Sequence, residues 1–192
     1  MFRLMLALLL AAFVIHRGYY SRKLPPKAET TVAQHEAGIT TRLASILGVT
    51  ALLSTIVYIL APASMTWASL PIPAWLRWFG VGLALVGFGL LQWSHNTLGR
   101  NWSDTPRLMV QQTLVTDGPY RWMRHPIYSA FLLILGAPLF VSANWFVGGA
   151  WLGMTALDVW SRVRFEEAIM MERFGEAYQA YMQRTGRLLP RH

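Results

Sequence analysis

The sequence of 192 residues contains no cysteine. It therefore cannot form a disulfide, a thiolate nucleophile or a cysteine-based metal site. Histidine is also scarce, and no two of the five histidines stand four residues apart, as two ligands on one helix face would (His16, His35, His95, His125 and His192). A zinc or di-iron site would need single residues from distant parts of the chain. We predict that the protein holds no metal.

Charged residues are few as well. They make up 14% of the chain, while hydrophobic residues make up 54% and the mean hydropathy is +0.35. Soluble domains carry about 25% charged residues, so this composition indicates a membrane protein. The net charge of +8 comes from basic residues that flank apolar runs instead of covering one continuous face. That pattern suits anionic lipid headgroups, so we predict membrane lipids as partners and no nucleic acid.

Long apolar runs are the main feature that is present. They lie at 1–15, 43–61, 74–94, 126–141 and 145–161. The first run resembles the apolar part of a signal peptide, but no small-x-small cleavage site follows, and Tyr19 and Tyr20 suggest an interfacial anchor, so we interpret it as a retained helix. The pattern predicts an all-α integral membrane bundle of about five transmembrane helices. From 163 to 182 the mixed polarity predicts that the fifth helix leaves the membrane and either continues, or bends at Gly175, as an amphipathic cytoplasmic helix.

The distribution of arginine and lysine predicts the orientation. The loop after the first run and the loop at 95–125 are basic, whereas 62–73 and 142–144 carry no charge. By the positive-inside rule the N-terminus lies outside and the C-terminus in the cytoplasm. We expect a single membrane domain over 1–192, with N-terminal spans and linkers at 1–73 and a core at 74–192.

Glycines within the apolar runs do not form a dinucleotide-binding pattern, because their spacing is not G-x-G-x-x-G and no strand precedes them. We interpret the four at 80, 82, 87 and 89 as sites of close helix packing. Gly149 and Gly153 are four residues apart, and this spacing predicts a small-residue face through which the fourth and fifth helices touch.

The polar segment at 114–128 separates two of the apolar runs. Gly118-Pro119 marks a turn, and Pro126 suits the first turn of a helix. Arg121, Arg124 and His125 then gather at a helix start, where unpaired N–H groups favour an anionic ligand. The alternative is a basic cytoplasmic loop that only fixes membrane orientation.

A second polar cluster follows the fifth run, at Arg162, Arg164, Glu166 and Glu167. Arg162 and Glu166 are four apart on a helix, so the simple alternative is an ion pair with an arginine that extends towards the interface. The short turn at 142–144, however, makes the fourth and fifth helices neighbours. We therefore expect the two polar clusters to share one pocket.

At these residues the chain resembles the isoprenylcysteine carboxyl methyltransferase family of integral membrane enzymes. The likeness lies in the Leu-Val-Thr-Asp-Gly-Pro-Tyr run at 114–120 and in Arg124-His125-Pro126-Ile127-Tyr128. It continues in Arg162-x-x-x-Glu166-Glu167, in Phe174-Gly175-x-x-Tyr178-x-x-Tyr181, and in the tail that begins Thr185-Gly186-Arg187. It covers about the C-terminal half. The Arg-His-Pro-x-Tyr element also occurs in membrane phospholipid methyltransferases and, loosely, in sterol reductases.

The resemblance implies S-adenosylmethionine as methyl donor and a lipid-like or prenylated carboxylate as acceptor. It implies that Glu166 accepts a hydrogen bond from the donor and that Arg162 holds the carboxylate of the acceptor. The remaining donor contacts that it implies are Gln112, Thr113, Leu114, Val115, Tyr120, His125, Pro126, Ile127 and Tyr128. Methyl transfer to a carboxylate needs no base, since that group is already ionised at neutral pH.

Other functions stay open at this stage. A phospholipid amine or a small thiol as acceptor would need a base, and His125 or Glu167 are the candidates. Arg162, His125 and Glu167 are thus the candidate catalytic residues. A sterol-type reductase and a non-catalytic membrane scaffold are the alternatives outside methyl transfer.

Overall fold

The computed structural model describes residues 1–23, 30–31, 38–101, 108–109 and 113–191. Five helices dominate these ranges: α1 Phe2–Ser21, α2 Ile39–Leu60, α3 Ala74–Leu98, α4 Pro126–Ser142 and α5 Trp145–Arg184. Two strands of two residues each, β1 Thr30–Thr31 and β2 Leu108–Met109, pair antiparallel. Short 3₁₀ segments at Pro62–Ala68, Gly99–Asn101 and Gly118–Arg121 complete the connections.

The helices have the lengths that a membrane fold requires. Helices α1, α2 and α3 are long and apolar enough to cross a membrane, and α4 is a shorter apolar helix of 17 residues. Many of their large hydrophobic side chains are exposed, which suits faces turned to lipid. The predicted all-α membrane fold is confirmed. Helix α1 extends past the predicted run at 1–15, because its polar interfacial turn continues the helix through Tyr20 to Ser21.

The core lies where α4 packs against the other helices. Its centre includes Leu91 of α3, Ile134 of α4 and Trp151 of α5. The indole of Trp151 also donates a hydrogen bond to the hydroxyl of Thr55 in α2, at 3.0 Å. A polar contact of this kind fixes the relative position of two helices that lipid would otherwise let slide.

Close approach of α3 to α4 depends on Gly80 and Gly87. A Cβ on Gly80 would lie 2.6 Å from the Cβ of Phe140, and one on Gly87 would lie 2.7 Å from Cγ1 of Ile134. Packing through these two glycines is as predicted. Gly82 and Gly89 have no atoms within 4 Å of such a Cβ, because they point away from α4.

The contact between α4 and α5 corrects one expectation. Gly148, and not the predicted pair Gly149 and Gly153, faces α4, since a Cβ at Gly148 would lie 2.2 Å from the Cα of Leu139. Gly149 has open space around it and Gly153 faces Leu47 of α2. Spacing alone identified a small-residue face but did not fix its rotation towards a neighbour.

A tight turn joins α4 to α5, as predicted. Ala143 adopts a left-handed conformation, and the side chain of Asn144 accepts a hydrogen bond from the amide of Val147 at 3.0 Å. The same side chain donates to the carbonyl of Met65 at 3.0 Å. The start of α4 and the polar part of α5 therefore lie together at the opposite end. Helix α5 bends at Gly175, where φ is 49°, which is the second of the two courses that the sequence left open.

Candidate active site

Four residues of the two predicted clusters meet where α4 begins. His125 precedes α4 and Tyr128 lies in its first turn, while Glu166 and Glu167 project from α5. The hydroxyl of Tyr128 donates a short hydrogen bond to Oε1 of Glu166. The imidazole of His125 has its Nδ1 3.7 Å from Oε2 of Glu166 and its Nε2 3.4 Å from Oε1 of Glu167. The imidazole thus lies between two carboxylates and is itself buried.

Glu166 has an unusual environment. Burial raises the pKa of its carboxyl. The charge of His125, the hydrogen bond from Tyr128 and the charge of Arg162 act in the opposite direction, but burial outweighs them. Even so, 28% of its side chain remains accessible to solvent. The side chain is therefore only partly enclosed, and its oxygens are the acceptors that a polar ligand would need.

Glu167 stands next to Glu166 but has a different environment. Oε1 accepts from Nε of Arg124 at 2.9 Å and Oε2 accepts from Nη2 of Arg187 at 2.6 Å. Burial raises the pKa of this carboxyl, but the nearby imidazole of His125 and the hydrogen bonds from Arg187 and Arg124 outweigh burial and lower it to about 2. Glu167 is therefore ionised at neutral pH and held by two arginines.

Arg162 forms an ion pair different from the one that spacing suggested. Its Nε donates to Oδ1 of Asp158, one turn earlier in α5, at 2.8 Å. The alternative of an Arg162–Glu166 pair is thus corrected: Asp158 takes that place, and Glu166 turns towards Tyr128 on α4. The charge of Arg162 still acts on Glu166, so the guanidinium belongs to the same neighbourhood.

The loop before α4 contributes Tyr120. This ring is buried, and burial, followed by the nearby Tyr181 and Glu166, raises the pKa of its hydroxyl well above the usual value. The hydroxyl of Tyr181 donates to the carbonyl of Tyr120 at 2.6 Å. At Gly118 φ is 55° and a Cβ would lie 2.6 Å from Oγ1 of Thr97, so only glycine fits this turn.

The other predicted donor contacts are placed less directly. Thr113 is exposed and bonded to Asn101, whereas Leu114 and Val115 are half-buried. Pro126 and Ile127 begin α4. Within the described part of the chain, no hydrogen bond or ion pair joins Thr113, Leu114 or Val115 to Glu166. Gln112 lies outside the described residues.

Sequence reasoning missed the partners of Glu167 and the course of the tail, residues 185–191. The amide of Gly186 donates to the carbonyl of Trp122 at 3.0 Å, and that of His125 donates to the carbonyl of Arg187 at 3.1 Å. The guanidinium of Arg124 also donates to the carbonyl of Thr185. The Thr185-Gly186-Arg187 motif was a signal for this contact, but a motif names residues without saying what they touch.

Comparison with known proteins concerns the segment that carries this cluster. Residues 80–172, just under half of the chain, match the isoprenylcysteine carboxyl methyltransferase family. The chain is 30% identical over 117 residues to protein-S-isoprenylcysteine O-methyltransferase B of Arabidopsis thaliana, a match that covers 58% of this chain and 57% of that protein. It is 28% identical over 103 residues to methanethiol S-methyltransferase 1 of Bradyrhizobium diazoefficiens, covering 54% and 33% respectively. The chain thus spans little more than half the length of the first of these relatives.

A solved structure shares the fold. A eukaryotic intramembrane Ras methyltransferase, itself an isoprenylcysteine carboxyl methyltransferase, superposes with a TM-score of 0.57. The match covers 83% of this chain and 54% of that one, at 23% identity. Sequence match and shared fold agree, and the match at 80–172 includes His125, Tyr128, Glu166 and Glu167. Over the segment that carries the candidate site, the chain is thus similar to the isoprenylcysteine carboxyl methyltransferase family.

Proposed function

We propose that this membrane protein transfers the methyl group of S-adenosylmethionine to the carboxylate of a lipid-like acceptor of the prenylcysteine type. The observation that carries the proposal is the meeting of His125, Tyr128 and Glu166 at the junction of α4 and α5, inside the family segment. The Arabidopsis relative, named for O-methylation of isoprenylcysteine, supports the acceptor class.

The residues present fit the donor. Glu166 offers accessible carboxylate oxygens that would accept hydrogen bonds from the amine or ribose hydroxyls of S-adenosylmethionine. Among the described residues, the backbone amides of Leu114 and Val115 have no hydrogen-bond partner, which leaves them available to a ligand. Thr113 would lie next to those amides, and Tyr120 would contact the donor beside Glu166. His125, Pro126, Ile127 and Tyr128 would form its other side.

The acceptor would lie against Arg162. When bound, S-adenosylmethionine supplies an electrophilic methyl group on a sulfonium. A carboxylate acceptor is ionised at neutral pH, so no side chain has to remove a proton from it. Arg162 would orient the two carboxylate oxygens, a task for which the planar guanidinium is suited. Its Nε donates to Asp158, which fixes the direction of the guanidinium on α5.

The position of the site suits two separate routes of entry. The basic loops place the start of α4 and the polar part of α5 on the cytoplasmic side in the proposed orientation. A water-soluble donor would then arrive from the cytoplasm. A lipid-modified acceptor would arrive sideways from the bilayer along the apolar helices.

A second candidate is methylation of a small thiol. The relative from Bradyrhizobium diazoefficiens, named a methanethiol S-methyltransferase, supports it. A thiol must lose its proton to become a good nucleophile, and a base is then needed. Glu166, with its raised pKa and with His125 3.7 Å away, suits that task better than Glu167 does. The comparisons favour both methyltransferase candidates over a sterol-type reductase or a non-catalytic scaffold.

The test is an acceptor comparison with the purified protein in detergent and methyl-labelled S-adenosylmethionine. The acceptors are an S-prenylated N-acetylcysteine, its methyl ester, methanethiol and phosphatidylethanolamine. We expect label only on the free prenylated acid, as a base-labile ester. Arg162→Ala should raise the KM for that acid by about 10- to 100-fold, since a charge-assisted hydrogen bond is lost. His125→Ala should abolish turnover.

Arg164→Ala is the matched control, because this exposed arginine of the same helix stacks on Trp160. Full turnover in both Arg162→Ala and His125→Ala would contradict the proposed roles. Label on methanethiol alone would select the second candidate. A protein that shows no thermal shift with S-adenosylhomocysteine would be a scaffold, and one that binds NADPH in its place would be a reductase.

A further inference from the structure

The tail, residues 185–191, runs beside the segment that leads into α4. Two amides of the segment donate to carbonyls of the tail: Arg124 to Gly186 at 2.8 Å and His125 to Arg187 at 3.1 Å. In the other direction, the amides of Gly186 and Arg191 donate to the carbonyl of Trp122 at 3.0 and 3.1 Å. The tail thus holds the backbone of His125 directly, as a parallel neighbour would in a sheet.

Side chains join the same tail to α5. Glu167, only 7% exposed, accepts from Arg187 of the tail and from Arg124 of the segment before α4. Arg124 in turn donates from Nη1 to the carbonyls of Thr185 and Met182. One carboxylate of α5 therefore connects three parts of the chain that are distant in sequence.

These contacts decide where the candidate groups sit. The imidazole of His125 lies between Glu166 and Glu167, and its backbone is bonded to the tail. Glu166 is the residue next to Glu167, so the two carboxylates that flank the imidazole come from adjacent positions of α5. Glu167 also suits this task chemically, because a carboxyl with a pKa of about 2 is a poor proton acceptor at neutral pH.

We propose that the tail is part of the active site, and that Arg187 and Glu167 are positioning residues that hold His125 against Glu166. This inference rests on the proposed function for its catalytic meaning. The family match ends at residue 172, and the likeness of the Thr185-Gly186-Arg187 motif does not by itself assign the tail a role. Arg187 is 48% exposed, so its charge is partly screened and its effect is expected through geometry more than through stability.

The experiment compares Arg187→Ala, Arg187→Lys and Arg191→Ala in the full-length protein in detergent. Arg191 is the matched control: it has the same charge and lies in the same tail, its side chain is exposed, and it forms no ion pair among the described residues. Three quantities are measured: the affinity for S-adenosylhomocysteine, kcat with KM for the methyl donor, and the melting temperature. A fourth readout is the ring resonance of His125 in histidine-labelled protein, identified by its loss in His125→Gln.

For Arg187→Ala we expect kcat/KM to fall by about tenfold or more, as for the loss of a hydrogen bond between charged groups, with a displaced His125 resonance. Arg187→Lys should restore part of kcat/KM and part of the original His125 resonance position, because lysine keeps the positive charge but lacks the planar guanidinium that binds both carboxylate oxygens. Arg191→Ala should stay within about twofold of the unaltered protein, as surface substitutions usually do.

An unchanged His125 resonance in Arg187→Ala would overturn the inference. So would a loss of activity that only follows the melting temperature and that lysine does not restore. Failure of the proposed function looks different: the unaltered protein would bind no S-adenosylhomocysteine, yet the His125 resonance would still report whether the tail positions that ring.

Discussion

The hydroxyl of Tyr128 on α4 is bonded to the carboxylate of Glu166 on α5, so that the two helices meet through a pair of polar groups beside a buried imidazole. This pairing brings together a residue from each of two motifs that stand 38 positions apart. It also selects Glu166, and not its neighbour, as the acidic group that remains accessible to a ligand.

The first prediction concerns that accessible carboxylate. Glu166→Gln should weaken binding of S-adenosylhomocysteine by about 10- to 100-fold, because a hydrogen bond to a charged acceptor is replaced by a neutral one. The raised pKa of Glu166 adds a pH dependence: binding should weaken as pH falls through a range above the usual value of 4.5. Calorimetric titration in detergent measures both effects.

Glu172→Gln is the matched control for this substitution, since Glu172 is an exposed residue of the same helix. Its affinity and its pH profile should equal those of the unaltered protein. A Glu166→Gln protein that binds with unchanged affinity across the pH range would remove Glu166 from the donor site.

The second prediction concerns stability in acid. The pKa of Glu167 is lowered from 4.5 to about 2, so its ionised form stabilises the folded state. That contribution is fully present above pH 4.5 and is lost as pH falls towards 2. Thermal unfolding followed over this range should show a steeper loss for the unaltered protein than for Glu167→Gln, which has no such group to protonate.

The pKa shifts of the two adjacent carboxyls, Glu166 and Glu167, have opposite effects on how stability changes with pH. The pKa of Glu166 is raised, so its contribution to the free energy of unfolding is present at low pH and is lost as pH increases through the raised pKa of the folded state. The difference between the unaltered protein and Glu167→Gln removes this common effect. Equal slopes for the two proteins below pH 4.5 would show that the arginines do not hold Glu167 as described.

The third prediction concerns the contact between α4 and α5. Gly148→Ala places a Cβ 2.2 Å from the Cα of Leu139, and a backbone atom cannot turn aside as a side chain can. The helices must separate, at a cost of about 1–3 kcal/mol or more. Gly149→Ala meets nothing within 4 Å and should leave the melting temperature unchanged or slightly raised. Equal melting temperatures for the two variants would contradict this packing.

The fourth prediction concerns membrane orientation. Because the chain has no cysteine, one introduced cysteine is the only thiol present. Ala63→Cys lies in the uncharged connection before α3, and Gln183→Cys lies near the end of α5; both positions are exposed. In intact cells a membrane-impermeant maleimide should label position 63 and spare position 183. The reverse pattern would invert the proposed orientation.

Much of the fold could be predicted because it follows from local patterns. Apolar runs predicted the five helices, Ser142-Ala143-Asn144 predicted the tight turn, and Gly175 was one of two courses expected for α5. The contact of Gly148 with Leu139 could not be predicted in this way, because it depends on how α5 is rotated against α4. A sequence pattern gives the faces of a helix but not which neighbour each face meets.

In the candidate site, too, local patterns predicted which residues take part but not which partners they contact. Spacing brought Arg162 and Glu166 to one helix face, but Asp158 and Tyr128 became their partners, a choice made by the packing of α4. The arginines that hold Glu167 come from either side of it in sequence, at 124 and 187, and only the path of the tail joins them. Long-range pairing of this kind has no periodic signal.

The anchoring of Asn144 bears on the geometry at the opposite end of α4 and α5. With that turn bonded to both Val147 and Met65, the two helices are held at one end, which opposes sliding of one along the other. Helix α4 has 17 residues and so is about 25 Å long. A rotation of about 5° at the turn would therefore displace the far end by about 2 Å. A displacement of that size exceeds what a hydrogen bond tolerates, so the Tyr128–Glu166 bond depends on the rigidity of a turn at the far end of the helix.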